Sequence, residues 1–270
     1  MITIPCARPL PFFCLSFYNS LAMKVSIVIP TYNQSKKLLK NLKESILPFF
    51  DNCGLIYSIL IEADHSSQEE LDILKEGMAD MPAHVRVDDY EDKKGKGWAI
   101  QKGILHSDAD YVLFFDADLS TDLNVFDLMK KDLGKYDAYI ASRDCKGASY
   151  AKKQPFKRRL THFGARTLIR MKFGMKEVHD TQCGFKMFTL PLAKEMAKKQ
   201  LTMGSAFDVE YLYFLHLNGK KIKEYPAKWA DDPDSTLQGV VGSSKRFAKD
   251  LKIIKKNKAH YSLKGSEDAD

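Results

Sequence analysis

The sequence predicts an α/β fold in which a Rossmann-like, mostly parallel central sheet is flanked by helices. Three observations carry this reading. From Lys24 onward, short β-branched or aromatic runs alternate with segments of helical spacing, which implies βαβ units joined by right-handed crossovers. A length of 270 residues with 44% hydrophobic and 29% charged residues suits one substantial globular core. Carboxylates and Gly-Lys turns stand just after the strands, where open parallel sheets bind their ligands.

The elements follow in order. Val25 to Ile29 is a continuous β-branched run that Pro30 ends, and Leu38, Leu39, Leu42 and Ile46 give residues 35–50 helical spacing. Tyr57 to Ile61 is a second strand. Ser66 or Ser67, with Glu69 and Glu70 in the first turn, caps a helix over 68–80. Val85 to Val87 reads as a short strand, Trp98 to His106 as a helix and Tyr111 to Phe115 as a buried strand. A helix near 123–133 and a strand at 137–141 complete this half. Residues 143–155 carry few apolar anchors and read as a mobile loop, and Phe156 to Met175 is a basic amphipathic segment. Helices near 191–200 and 206–218 precede a strand at 221–228, a loop at 230–242 and a basic helix at about 243–258. No internal repeat is visible.

The termini read differently. Pro5, Pro9, Pro11 and Arg8 interrupt the apolar stretch Ile4 to Leu21 too often for a transmembrane helix or a signal peptide. Residues 1–22 are therefore expected to be a loose tail, or a misassigned start upstream of Met23. Residues 261–270 are expected to be a disordered tail with an acidic end.

The net charge is +7, with cations gathered in two stretches. One holds Lys152, Lys153, Lys157, Arg158, Arg159, Arg166, Arg170, Lys172 and Lys176; the other runs from Lys245 and Arg246 to Lys258. Such runs are most often solvated helix faces, but they also attract anionic lipid or phosphorylated substrates. No nucleic-acid-binding module accompanies them, so nucleic acid is not an expected partner. The five cysteines are odd in number and contain no Cys-x-x-Cys, which supports neither a disulfide framework nor a zinc site. A cytoplasmic setting is expected.

Five segments carry chemistry. Asp116-Ala117-Asp118 follows the 111–115 strand, and its hard oxygen ligands suit Mg²⁺ or Mn²⁺ with a substrate phosphate. An isolated Asp-x-Asp is usually a solvated loop start; the other four segments change that weighing. Pro30-Thr31-Tyr32-Asn33-Gln34 offers a flat ring and amides at the end of the first strand. Asp64-His65-Ser66-Ser67 puts an acceptor carboxylate at the end of the second. Lys93-Lys94-Gly95-Lys96-Gly97-Trp98 combines charge with glycines that admit a phosphate, without Walker A spacing. Asp180-Thr181-Gln182-Cys183-Gly184-Phe185-Lys186 is a polar segment in apolar and basic surroundings. An EF-hand over 116–127 fails, because Thr121 stands where the turn needs glycine.

Together these motifs resemble the family-2 inverting glycosyltransferases, most closely the branch of dolichyl-phosphate β-glucosyltransferases, with polyprenyl-phosphate mannose synthases as relatives. Phe207-Asp208-Val209-Glu210, Trp229, Pro233-x-Ser235 and Ser244-x-Arg246 agree, and the resemblance spans about residues 24–255. It implies a glycosyltransferase-A fold over 23–260, with a nucleotide-binding half at about 23–142 and an acceptor half at about 143–260. It also implies a nucleoside-diphosphate sugar donor (UDP-glucose favoured), Mg²⁺ or Mn²⁺, and a polyprenyl phosphate acceptor at a peripheral, anionic membrane surface. On this mapping Pro30, Tyr32 and Asp64 hold the nucleoside and Lys96 lies by the donor. Asp116 and Asp118 bind the metal-diphosphate, Arg143 meets an acceptor phosphate, and Asp180 and Gln182 lie near the reacting sugar. The chain departs from the family at Gln34, where Glu is usual, and at Ala63-Asp64, where two acids are usual.

A phosphate-monoester acceptor is largely deprotonated near pH 7, its second pKa being about 6, and needs little base catalysis. A sugar hydroxyl would need a carboxylate base, for which Asp208 or Glu210 are the candidates. Two other readings remain open at this point: a family-2 enzyme acting on a soluble or glycan hydroxyl, and a transferase fold retained as a non-catalytic binding module.

Overall fold

The computed structural model describes residues 23–91, 94–151, 156–230 and 240–263. The expectations for 1–22, Lys93, Lys152, Lys153, Pro233, Ser235 and 264–270 lie outside the described residues, as do the side chains of Lys157, Arg158, Arg159 and Ser244.

The strands are β1 (Lys24–Thr31), β2 (Ile56–Asp64), β3 (Val85–Tyr90), β4 (Tyr111–Phe114), β5 (Ala138–Ser142), β6 (Ser149–Tyr150), β7 (Lys186–Thr189), β8 (Ile222–Pro226) and β9 (Lys228–Trp229). The helices are α1 (Ser35–Asn41), α2 (Leu47–Asp51), α3 (Gln68–Met78), α4 (Lys96–His106), α5 (Val125–Lys130), α6 (Phe156–Phe173), α7 (Leu190–Lys199), α8 (Phe207–Leu217) and α9 (Val240–Lys256). Among the described residues they build a seven-stranded sheet in the order β3-β2-β1-β4-β7-β5-β8. All its strands run parallel except β7, which is antiparallel to both β4 and β5. This is the expected mostly parallel sheet, with helices on both faces.

Two apolar clusters fill the faces. One joins Val28, Leu60 and Phe114 to Phe207, Leu212 and Phe188; the other joins Ile27, Ile29 and Ile61 to Phe50, Phe115 and Phe185. Alternate residues of each strand therefore serve opposite cores, which is why the strands read as continuous apolar runs rather than alternating ones. The Phe50, Phe115 and Phe185 rings stack in series, with centroids 6.3 and 5.4 Å apart.

Four local outcomes differ from the sequence expectation. The helix expected over 35–50 contains a π-helical stretch, Leu42–Ile46, just before Pro48; that proline has no N–H to close a regular turn. The strand β7 was not anticipated, because four residues opening on a lysine show no readable period. The strand expected at 221–228 breaks at Ala227 into β8 and β9. Within the expected mobile loop, Ser149 and Tyr150 pair with Lys228 and Trp229 in a small second sheet.

Helix α4 packs unusually close to its neighbours. A Cβ on Gly97 would stand 2.7 Å from the Gly204 carbonyl oxygen and 2.8 Å from Phe207 Cβ, and one on Gly103 would stand 2.3 Å from Val28 Cγ1. Gly97 thus admits the protein's own backbone, and the Trp98 N–H donates to the Met203 carbonyl at 3.2 Å across the same contact.

Glu210 is buried in α8 and closes the chain around it. Its carboxylate accepts from the N–H groups of Leu201 (2.6 Å) and Thr202 (2.9 Å), and from the Tyr261 hydroxyl (2.8 Å). Replacing it with alanine leaves these buried donors unsatisfied, at roughly 1–3 kcal/mol each. The Glu210→Ala variant is expected to lose at least about 2 kcal/mol in urea unfolding; a loss near zero would contradict this role.

Candidate active site

A cleft of about 300 Å³ opens at the carboxyl ends of β1, β2 and β4, lined by Pro30, Tyr32, Asp64, Lys96, Asp116 and Asp118 among others. These six were expected at the site from sequence, and the fold brings them together. Asp180, Gln182, Asp208 and Arg143 do not line this cleft.

Each of the three strand ends turns through a left-handed residue: Asn33 (φ 49°), His65 (φ 52°) and Leu119 (φ 54°). Such backbone is uncommon outside glycine and persists only where neighbours over-determine it. Here they do. The Asn33 N–H donates to Ser66 Oγ at 3.2 Å, Asn33 Oδ1 accepts from the Ser67 N–H at 2.9 Å, and the Ser35 N–H donates to Glu70 Oε2 at 2.7 Å. Ser67 caps α3, as expected. After Asp118 the chain doubles back, and Asp118 Oδ1 accepts from both the N–H (2.9 Å) and the hydroxyl (2.7 Å) of Ser120.

Asp64 has a definite structural task. Its two oxygens accept the N–H groups of Lys94 (2.9 Å) and Gly95 (2.8 Å), which pins the turn that opens α4. Gly95 adopts φ 119°, and a Cβ there would stand 2.6 Å from the Met203 carbonyl oxygen, so only glycine fits that turn. The turn delivers Lys96 to the cleft, where its ammonium pairs with Asp116. Burial works against the charge on Lys96, but Asp116, then Asp208 and Asp118, outweigh it and raise the pKa.

Gly184 completes this corner. A Cβ at that position would stand 2.3 Å from Asp116 Oδ2 and 3.2 Å from Lys96 Nζ. Behind it lies a buried ion pair between Lys186 and Asp208, with Lys186 Nζ also donating to the Cys183 carbonyl at 2.6 Å. Burial pushes the Asp208 carboxyl up from its ordinary pKa, against the pull of Lys186 and Lys96.

Asp180 is fully buried and serves another network. Its carboxylate accepts Arg143 Nε (2.7 Å), Arg143 Nη2 (2.9 Å) and the N–H groups of Arg143 and Gln182 (both 3.0 Å). Burial alone would raise its pKa; the Arg143 fork, with Arg166 behind it, holds the carboxyl well below the usual range. Arg166 itself makes a two-bond contact with Asp144 at 2.6 and 2.7 Å and is 3% exposed. Counted by sequence among surface cations, Arg166 is instead an internal brace. Arg143 lies 5.5 Å from the centroid of the Trp229 ring, and the Ala230 N–H donates to the Ser120 carbonyl at 2.8 Å, so this network abuts the turn after Asp118.

Sequence reasoning missed the roles of Lys186, Gly184 and Arg166. No local signal marked Lys186, which opens a strand too short to show a period. Glu210, named as a possible base, is spent on buried donors and does not line this cleft.

A family model for "Glycosyl transferase family 2" matches residues 26–196. The chain belongs to glycosyl transferase family 2. As a member it is a glycosyltransferase. The dolichyl-phosphate beta-glucosyltransferase of Saccharomyces cerevisiae is 29% identical to it over 250 residues, 86% of this chain and 74% of that protein. The Homo sapiens dolichyl-phosphate beta-glucosyltransferase is 28% identical over 238 residues, 82% of this chain and 72% of that protein. In fold the chain resembles mannosyl-3-phosphoglycerate synthase from Rubrobacter xylanophilus, with a TM-score of 0.64 at 16% identity over 90% of this chain and 77% of that one. It also resembles glucosyl-3-phosphoglycerate synthase from Mycobacterium tuberculosis, solved with Mn²⁺, uridine diphosphate and phosphoglyceric acid. There the TM-score is 0.61 at 16% identity, over 96% of this chain and 86% of that one. The glycosyltransferase-A fold expected from the motifs is the fold observed.

The corner at Gly184 gives a direct test. Gly184→Ala would displace the Asp116 carboxylate by about an ångström, and misplacements of that size cost up to about 100-fold in rate. A fall in kcat/KM of at least about tenfold is expected, with the melting temperature within about 3 °C of wild type. Unchanged turnover would show that Asp116 does not need this space.

Proposed function

We propose that this glycosyltransferase moves glucose from UDP-glucose to a polyprenyl monophosphate by a single inverting displacement, on the cytoplasmic side of an anionic membrane. Its relatives of known activity support the sugar and the acceptor, and the mycobacterial synthase supports a uridine nucleotide with a divalent metal. The observation that carries the reading is the convergence of Tyr32, Lys96, Asp116 and Asp118 on one cleft.

The residues present fit a hard divalent cation. Asp116 and Asp118 offer carboxylate oxygens on the same cleft, and the bare Gly184 leaves room beside Asp116 Oδ2. Bound there, Mg²⁺ or Mn²⁺ would neutralise the charge that grows on the departing diphosphate. Lys96 adds a fixed ammonium at the N-terminus of α4, where the helix dipole also favours an anion. Pro30 and Tyr32 flank the base, and Asp64 acts through the turn it pins. Arg143 spends two guanidinium nitrogens on Asp180, which fixes its plane for an acceptor phosphate. Asp180 acts through Arg143 rather than on the sugar, and Gln182 gives its backbone N–H to the same carboxylate.

The state of Asp208 favours a phosphate over a hydroxyl acceptor. Buried and committed to Lys186, it is poorly placed to take a proton from an alcohol. A phosphate brings its own negative nucleophile. For the membrane, Leu168 and Met171 stand 68% and 74% exposed on α6, beside Arg170 and Lys172, a pairing of apolar tips and cations that suits an anionic bilayer. No helix among the described residues is long and apolar enough to cross one.

Labelled UDP-glucose, Mn²⁺ and the purified chain should glucosylate a short polyprenyl phosphate and leave the matching polyprenol untouched. EDTA and Asp118→Ala should each abolish transfer while circular dichroism stays unchanged. Equal use of the alcohol would restore a base-catalysed reading, transfer only to soluble sugars would favour a glycan acceptor, and full activity with EDTA would remove the metal.

A further inference from the structure

We propose that Glu62, Asp88 and His106 form a second divalent-cation site, of zinc type, on the β3 side of the sheet. None of the three lines the donor cleft. One ligand atom from each lies within 4.8 Å of the others. The topology explains the convergence. Glu62 and Asp88 are register partners on the parallel strands β2 and β3, so their side chains leave the same face. Helix α4 crosses that face, and Gly103 and His106, three residues apart, lie on one side of it.

Glu62 is the observation that points to a ligand. It is 0% exposed, its Oε2 accepts the Tyr90 hydroxyl at 2.7 Å, and its Oε1 has no hydrogen-bond partner among the described residues. A buried carboxylate oxygen without a donor is costly and calls for a counterpart. That oxygen faces the α4 surface carrying His106, because a Cβ on Gly103 would stand 3.0 Å from it. Glycine at 103 keeps the space above Oε1 open. On the other side, His106 Nδ1 already stands 3.3 Å from Asp88 Oδ2.

The donor set selects the ion. One imidazole nitrogen with two carboxylates suits Zn²⁺, which commonly takes three protein ligands and a water. At zinc–ligand bonds of about 2.0–2.2 Å, tetrahedral neighbours lie roughly 3.4 Å apart. The His106–Asp88 pair is at that spacing now. Asp88 and His106 are partly exposed, so they can close on Glu62 while the buried carboxylate stays fixed. The Tyr90 hydroxyl orients Glu62 from behind, as hydrogen-bonded partners of metal ligands commonly do. Arg86 and Lys102 lie near enough to ease the charge on Glu62, but neither hydrogen-bonds its Oε1: Arg86 Nη2 donates to the His106 carbonyl at 3.1 Å, and Lys102 lies 5.3 Å from the centroid of the Trp98 ring. A bound ion would join β2, β3 and the end of α4, the helix whose first residue is Lys96.

The test uses the full chain without a histidine tag, stripped by chelator and titrated with ZnCl₂ by calorimetry and thermal unfolding. The proposal expects a zinc site that raises the melting temperature and survives in Asp116→Ala/Asp118→Ala. It also expects His106→Ala and Asp88→Asn, both at partly exposed positions, to weaken that site at least about tenfold, one histidine or carboxylate ligand being worth that much or more. Zinc binding unchanged in both variants would overturn the proposal. So would zinc binding lost entirely with Asp116 and Asp118, or no binding to the wild-type chain.

Discussion

The cleft depends on one carboxylate that holds two backbone N–H groups. Asp64 ends β2 inside the sheet and clamps Lys94 and Gly95 at hydrogen-bond distance. Hydrogen bonds to an ionised acceptor are among the stronger ones available to a protein. The clamp sets where α4 begins, and therefore where the Lys96 ammonium meets Asp116. Tyr32, on the neighbouring β1 turn, is tied in through the bonds of Asn33 to Ser66 and Ser67, beside Asp64. The cleft is thus a set of strand ends locked to one another rather than a group of independent side chains.

Close packing makes the clamp rigid. Gly95, Gly97 and Gly103 let α4 sit against the 203–207 segment and against Val28 with no side chain between. Arg246 of α9 reaches back to the Lys94 carbonyl at 3.1 Å, so the basic C-terminal helix also touches this turn. The second charged network, Arg143 with Asp180 and Arg166 with Asp144, braces the far side of the Asp118 turn. In both networks most of the charges are internal pairs.

Much of this was legible in the residues. The strands β1, β2 and β4 are buried on both faces, so they read as apolar runs, and the polar residues just past them had to surface at one edge of the sheet. On that ground Tyr32, Asp64, Asp116 and Asp118 fell at strand ends, and the resemblance to the family made them site candidates. What stayed hidden was whatever depends on distant pairing. Arg166 reads as one cation in a basic helix until Asp144, 22 residues away, closes on it. Gly97 reads as a phosphate-approach glycine until the 203–207 backbone occupies the space. Strand β7 is too short to show a period, and Glu62, an acid within an apolar strand, reads as unremarkable until Asp88 and His106 arrive beside it. Ala63 is fully buried on the opposite face from Asp64, so the second acid usual in the family would here enter an apolar cluster.

On the proposed reading, Asp64 serves the donor site through Lys96. A double-mutant cycle measures this most directly: UDP affinity with Mn²⁺, by calorimetry, in wild type, Asp64→Asn, Lys96→Met and the double variant. If Asp64 acts by delivering Lys96, the second mutation adds little to the first, and the coupling energy reaches about 1 kcal/mol or more. Losses that add to within about 0.3–0.5 kcal/mol would contradict the account and make Asp64 an independent contact to the nucleoside.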